Sequence, residues 1–111
     1  MILVALGSNL PGNFHNCSAL LNAAIAEIGS HSEISILSRS RFYESAPVPI
    51  SDQPWFCNAV IAVETRLSPL DLLLVLQRIE QGFGRQRGAI NAARTLDLDL
   101  LAYNDVVIDG G

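Results

Sequence analysis

Two aspartates spaced two residues apart are the side chains best set for chemistry. In Arg94-Thr95-Leu96-Asp97-Leu98-Asp99-Leu100-Leu101 acidic and apolar residues alternate strictly. On a strand, that alternation sends Leu96, Leu98 and Leu100 to one face and both carboxylates to the other, about 7 Å apart. Like charges so close repel unless something positive lies between them. Magnesium suits the place, being a hard ion that takes one or two carboxylates and completes its shell with water and substrate phosphates. The bland alternative is an exposed strand whose polar side is merely solvated. The leucine ladder and the nearby arginines favour the metal.

All seven basic residues are arginine, and four of them, Arg78, Arg85, Arg87 and Arg94, crowd the same region. The guanidinium is a planar fork that matches phosphate and carboxylate oxygens. Without lysine, a phosphate loop of the G-x-x-x-x-G-K type is impossible, so a nucleotide has to be held another way. Gln77 and Glu80 lie three residues apart on an expected helix, hence on neighbouring positions of one face, with Leu76 and Ile79 on the other side. Cations for a polyphosphate and anions for its metal are what phosphoryl transfer requires, since its catalysis is mostly positioning and charge stabilisation. Read in isolation, the arginine cluster is a solvated face and the Gln/Glu pair is surface decoration.

A second constellation runs from Ser45 to Asn58. Phe56 can stack on a flat ring, Asn58 offers both a donor and an acceptor, and Val48 can wall the opposite side. A few polar groups in an apolar setting is the usual form of a small-molecule pocket. The alternative makes Trp55 and Phe56 core or edge residues and Asn58 the cap of a turn.

The elements that must hold these residues follow from the pattern. The chain of 111 residues reads as one domain over 1–111. Half its residues are hydrophobic and its mean hydropathy is +0.32, enough to build a core and too apolar for disorder. A formal charge of −4 argues against nucleic acid as a partner. Apolar runs such as Leu72 to Leu76 fall far short of a membrane span. The start lacks a basic region and meets Gly7-Ser8-Asn9 at once, so the expected compartment is the cytoplasm. Cys17 and Cys57 read as small buried hydrophobes, and His15 and His31 show no zinc spacing.

Ile2 to Leu6 reads as a buried strand ending at Gly7. Gly12-Asn13 opens a helix whose apolar stripe includes Phe14, Cys17, Leu20, Ile25 and Ile28, and Gly29 closes it. Ile34 to Phe42 alternates as one long strand. Three prolines stiffen the loop from Ala46 to Pro54. Asn58 to Thr65 is a strand, Ser68-Pro69-Leu70-Asp71 starts a helix that Gly82 and Gly84 end, and Leu96 to Tyr103 is the last strand. The order β-α-β-β-α-β predicts an α+β, ferredoxin-like fold: a four-stranded antiparallel sheet, two helices on one face, the other face free. A small mixed sheet of different strand order is the competing arrangement.

In this order the segments Ala5-Leu6-Gly7-Ser8-Asn9-Leu10, Tyr43-Glu44-Ser45-Ala46-Pro47, Asp52-Gln53-Pro54-Trp55-Phe56-Cys57-Asn58-Ala59, Gln77-Arg78-Ile79-Glu80, Gly84-Arg85-Gln86-Arg87 and Arg94 to Leu101 cover essentially the whole chain. They resemble the 6-hydroxymethyl-7,8-dihydropterin pyrophosphokinase family. The resemblance implies transfer of pyrophosphate from ATP to the pterin hydroxymethyl oxygen, giving AMP and the pterin pyrophosphate used in folate synthesis. It implies that Asp97 and Asp99 hold two magnesium ions, and that Gln77, Glu80, Arg85, Arg87 and Arg94 line the ATP side, with Arg85 and Arg94 in catalysis. By the same resemblance Ser45, Ala46, Val48, Phe56 and Asn58 form the pterin pocket and Asn9 supports it. The chain departs from the family in two places. Asn91-Ala92-Ala93 stands where members usually carry Trp-Gly-Pro. The family's Pro-His-Pro segment, with a later Arg and a second stacking Phe, has no counterpart up to Gly111. The chain therefore reads as the family without its C-terminal portion, with an uncovered apolar surface that favours self-association. A second class stays open: a pterin-binding or interaction module without turnover.

Overall fold

A computed structural model describes residues 1–8, 16–45, 56–83 and 96–104. Its elements are β1 (Ile2–Ser8), α1 (Cys17–Ser30), β2 (Ile34–Arg39), β3 (Tyr43–Ser45), β4 (Phe56–Thr65), α2 (Pro69–Gly82) and β5 (Asp97–Tyr103). The sheet is antiparallel, ordered β2-β4-β1-β5, with β3 also pairing to β4. Helix α1 begins at Cys17 with Asn16 as its N-cap, later than the start expected at Gly12-Asn13, and the proline loop lies outside the described residues.

One face of the sheet carries the core. Ile2, Val4 and Leu6 of β1 pair with Val63, Ile61 and Ala59 of β4, and Leu6 and Val4 pair with Leu98 and Leu100 of β5. These buried side chains form one cluster with Leu20, Leu21, Ile25 and Ile28 of α1 and Leu72 and Leu76 of α2. Each large aliphatic buried in this way contributes roughly 1.5–3 kcal/mol relative to exposure. Both helices are capped by a side-chain oxygen: Asn16 Oδ1 accepts from the Ala19 amide at 2.8 Å, and Ser68 Oγ, the expected cap, accepts from the Asp71 amide at 3.1 Å. An N-cap of this kind is worth about 1 kcal/mol.

Among the described residues the sheet has five strands rather than four, because the strand expected over Ile34–Phe42 ends at Arg39 and a further short strand, Tyr43–Ser45, pairs with β4. The β2–β4 register slips between Ile36 and Ser38, leaving Leu37 bulged and exposed. A bulge turns the following residues to the opposite face, so Arg39 pairs with buried Ile61, and its guanidinium donates to Asn22 Oδ1 of α1 at 3.0 Å. Ser40 then takes over the pairing: its amide donates to Val60 O and its hydroxyl accepts from the Val60 amide, both at 2.8 Å. Pairing to β4 resumes at Tyr43. α1 also outruns Gly29, ending at Ser30. A Cβ on Gly29 would lie 3.1 Å from Ile36 Cγ1, so the glycine leaves room for that side chain of β2.

Candidate active site

β5 is an edge strand beside β1, and its alternation is the one its sequence demands. Leu96, Leu98 and Leu100 are buried, Asp97 is half-buried and Asp99 is exposed. Asp97 pairs with Gly7 and Asp99 with Ala5, while across β1 Gly7 pairs with Asn58 and Ala5 with Val60. Directly paired residues share a face. A single row, Tyr43–Asn58–Gly7–Asp97, therefore crosses β3, β4, β1 and β5 on the side away from the helices. Asn58 and Asp97 are two strand spacings apart, about 10 Å.

Asn58 is held by its neighbours. Its Nδ2 donates to Ser45 Oγ at 2.8 Å and lies 3.3 Å from Tyr43 O and 3.4 Å from Phe56 O. Its Oδ1 leans over β1, where a Cβ on Gly7 would sit 3.2 Å away, with Phe56 Cδ1 at 4.0 Å from the same point. Ser45, Phe56 and Asn58 are thus brought together on the open face. Asn9, Ala46, Val48, Arg85, Arg87 and Arg94 lie outside the described residues.

The two carboxylates fit a hard cation. They are oxygen donors on one face, and their β1 partners are the two small residues Ala5 and Gly7. Among the described residues no group of three or more His, Cys, Asp or Glu gathers into a protein cage. An ion at Asp97 and Asp99 would complete its shell with water and phosphate oxygens, which is how magnesium is usually held beside nucleotides.

The helix pair is separated. Gln77 is exposed, whereas Glu80 is 5% exposed and sits on the buried stripe with Leu72 and Leu76. Glu80 Oε2 accepts from the Leu98 amide at 2.7 Å, the amide lying between the two aspartates in sequence. The expectation that Gln77 and Glu80 share an outward face, with Leu76 on the other side, is corrected accordingly. The spacing Leu72, Leu76, Glu80 carries the signal, since residues four apart stack on one helical face. Gly7 is the other position that the sequence reading passed over. Among the described residues a hollow of about 380 Å³ lies between the C-terminal turns of the helices, lined by Glu27, His31, Val75, Arg78 and Phe83, and it includes none of the candidate site residues.

The described residues make an α+β sheet with one helix-free face, on which Asp97 and Asp99 of β5 stand two strands away from the cluster of Ser45, Phe56 and Asn58. The family model for 7,8-dihydro-6-hydroxymethylpterin-pyrophosphokinase matches residues 3–109. The chain is 45% identical over 105 residues to the 2-amino-4-hydroxy-6-hydroxymethyldihydropteridine pyrophosphokinase of Haemophilus influenzae, covering 95% of this chain and 63% of that one. It is 41% identical over 108 residues to the protein of the same name from Pseudomonas aeruginosa, covering 97% and 64% respectively. It is also similar to the mitochondrial folate synthesis bifunctional protein of Pisum sativum, 37% identical over 102 residues, which cover 92% of this chain and 19% of that protein. The chain belongs to the 7,8-dihydro-6-hydroxymethylpterin-pyrophosphokinase family. It spans less than two thirds of the length of the two bacterial relatives. Among the described residues no helix is long and apolar enough to cross a membrane.

Proposed function

We propose that this chain transfers pyrophosphate from ATP to the hydroxymethyl oxygen of 6-hydroxymethyl-7,8-dihydropterin, as a cytoplasmic enzyme of folate synthesis. The observation that carries the reading is the cross-sheet row, in which the pocket residue Asn58 and Asp97 flank a bare Gly7 on the helix-free face. The finer description of the fold belongs to the same reading. It is the ferredoxin-like βαββαβ arrangement, its second strand made of β2, which carries the Leu37 bulge, and of β3, which follows an interruption over residues 40–42.

In the reaction the pterin hydroxyl oxygen attacks the β-phosphorus of ATP. The bond from that phosphorus to the oxygen bridging it to the α-phosphorus breaks, AMP leaves, and the hydroxyl proton is released. Phe56 stacks on the pterin ring. Asn58, held by Ser45, offers Oδ1 to the ring edge, with Ala46 and Val48 completing the pocket and Asn9 supporting it. Gln77 with Arg85, Arg87 and Arg94 binds the polyphosphate. Asp97 and Asp99 would hold the two magnesium ions that accompany ATP. Magnesium, when bound, supplies positive charge to offset the phosphate oxygens. Glu80 joins the ATP side while its Oε2 holds the Leu98 amide of β5.

The test is AMP formation from magnesium-ATP with and without the pterin. Pterin-dependent AMP is the expected result. Pterin binding without AMP would replace this reading with the binding module, and the absence of both would remove it.

A further inference from the structure

Gly7 occupies an odd place for a glycine. It lies inside β1, paired on both sides, with Asn58 across one edge and Asp97 across the other. Its backbone is not in the left-handed region that only glycine tolerates, so no turn or strain requires it there. Glycine within a strand weakens the strand, and where it persists it often marks a close approach by a ligand or another group. Here the space above Gly7 is already partly taken. A methyl group would lie 3.2 Å from Asn58 Oδ1 and 4.0 Å from the Phe56 ring. The amide cannot give way without cost, because its Nδ2 is tethered to Ser45 Oγ at 2.8 Å.

We infer that Gly7 is a positioning residue for the pterin: its missing side chain is what lets Asn58 Oδ1 lean over β1 and leaves a clear floor between the pocket and Asp97. The inference rests on the pyrophosphokinase reading and adds to it a residue that touches neither phosphate nor metal. Any side chain at this position presses Asn58 back toward β3, and the ring edge that Asn58 reads is displaced with it. ATP, held on the other side of the row, is unaffected.

The experiment is a double-mutant cycle on Gly7→Ala and Asn58→Ala, with pterin and magnesium-ATP affinities measured separately by calorimetry and thermal unfolding followed in parallel. Gly7→Ala should weaken pterin binding about tenfold, the scale of one compromised hydrogen bond. It should leave ATP affinity within about twofold and Tm within a few degrees of wild type, because alanine's better strand propensity offsets part of the cost of displacing the amide. In the Asn58→Ala background the same change should cost less than about twofold, since partners acting through one contact are not additive. Wild-type pterin affinity in Gly7→Ala, or an equal loss in both backgrounds, overturns the inference while the pocket stands. Unchanged affinity in Asn58→Ala alone shows that the pterin reading of the pocket has failed, and the role of Gly7 falls with it. If Gly7→Ala does not fold, the double variant decides: recovery of folding supports the steric coupling to Asn58, and continued failure overturns it.

Discussion

On the proposed reading the chemistry turns on Asp97 and Asp99, and their placement makes a sharp prediction. Both project from the helix-free face of an edge strand, so neither supports the core. Asp97→Asn and Asp99→Asn should each reduce pyrophosphate transfer by several orders of magnitude, because metal-borne charge stabilisation is worth several kcal/mol and about 1.4 kcal/mol is tenfold in rate. Folding should survive, as the change removes like-charge repulsion and leaves Leu98 and Leu100 in place. Turnover within tenfold of wild type in either variant would refute the metal role. These two aspartates were legible in the sequence because strict alternation has a single consequence on a strand. Ser45 and Asn58 were legible only as neighbours in a loop-and-strand segment. That the amide donates to the serine and leans over Gly7 depends on the pairing of β3, β4 and β1, which no local pattern encodes.

At the scale of elements, α2 and β5 are joined by a buried carboxylate. Glu80 accepts the Leu98 amide at 2.7 Å, and among the described residues β5 is an edge strand with no strand on its outer side. Glu80→Ala leaves that amide without its partner and should lower stability by about 1–3 kcal/mol. Glu80→Gln keeps an acceptor of the same shape and should recover much of the loss. Denaturant midpoints of the two variants check this, and equal stability of wild type and Glu80→Ala would show that the tie is idle. The stripe spacing of Leu72, Leu76 and Glu80 announced this burial, but a charged residue in a motif read as a ligand site drew the opposite assignment. The split of β2 from β3 had less warning. Ile34, Ile36, Ser38 and Ser40 keep an even spacing in the sequence, and only the bulge at Leu37 moves Arg39 to the helix side. The Ser68 cap, by contrast, was fully readable, because its hydrogen bond is made within three residues.

For the molecule as a whole, charge is unevenly shared: the chain is net −4, yet four of its seven cations fall between Arg78 and Arg94. ATP binding should therefore depend on salt in a way that pterin binding does not. Raising ionic strength from about 0.1 M to 1 M shortens the screening length from about 10 Å to 3 Å. The KM for ATP should rise several-fold while that for the uncharged pterin stays nearly constant. Parallel rises for both substrates would contradict the proposed assignment of ATP to the arginine-rich segment and of the pterin to Ser45, Phe56 and Asn58. The central claim is that this face moves two phosphates as one unit. ATP labelled at both the β and γ positions, incubated with magnesium, the pterin and this chain, tests it directly. Both labels should appear together on the pterin, with unlabelled AMP as the other product. A pterin carrying the γ label alone, with ADP released, would contradict it.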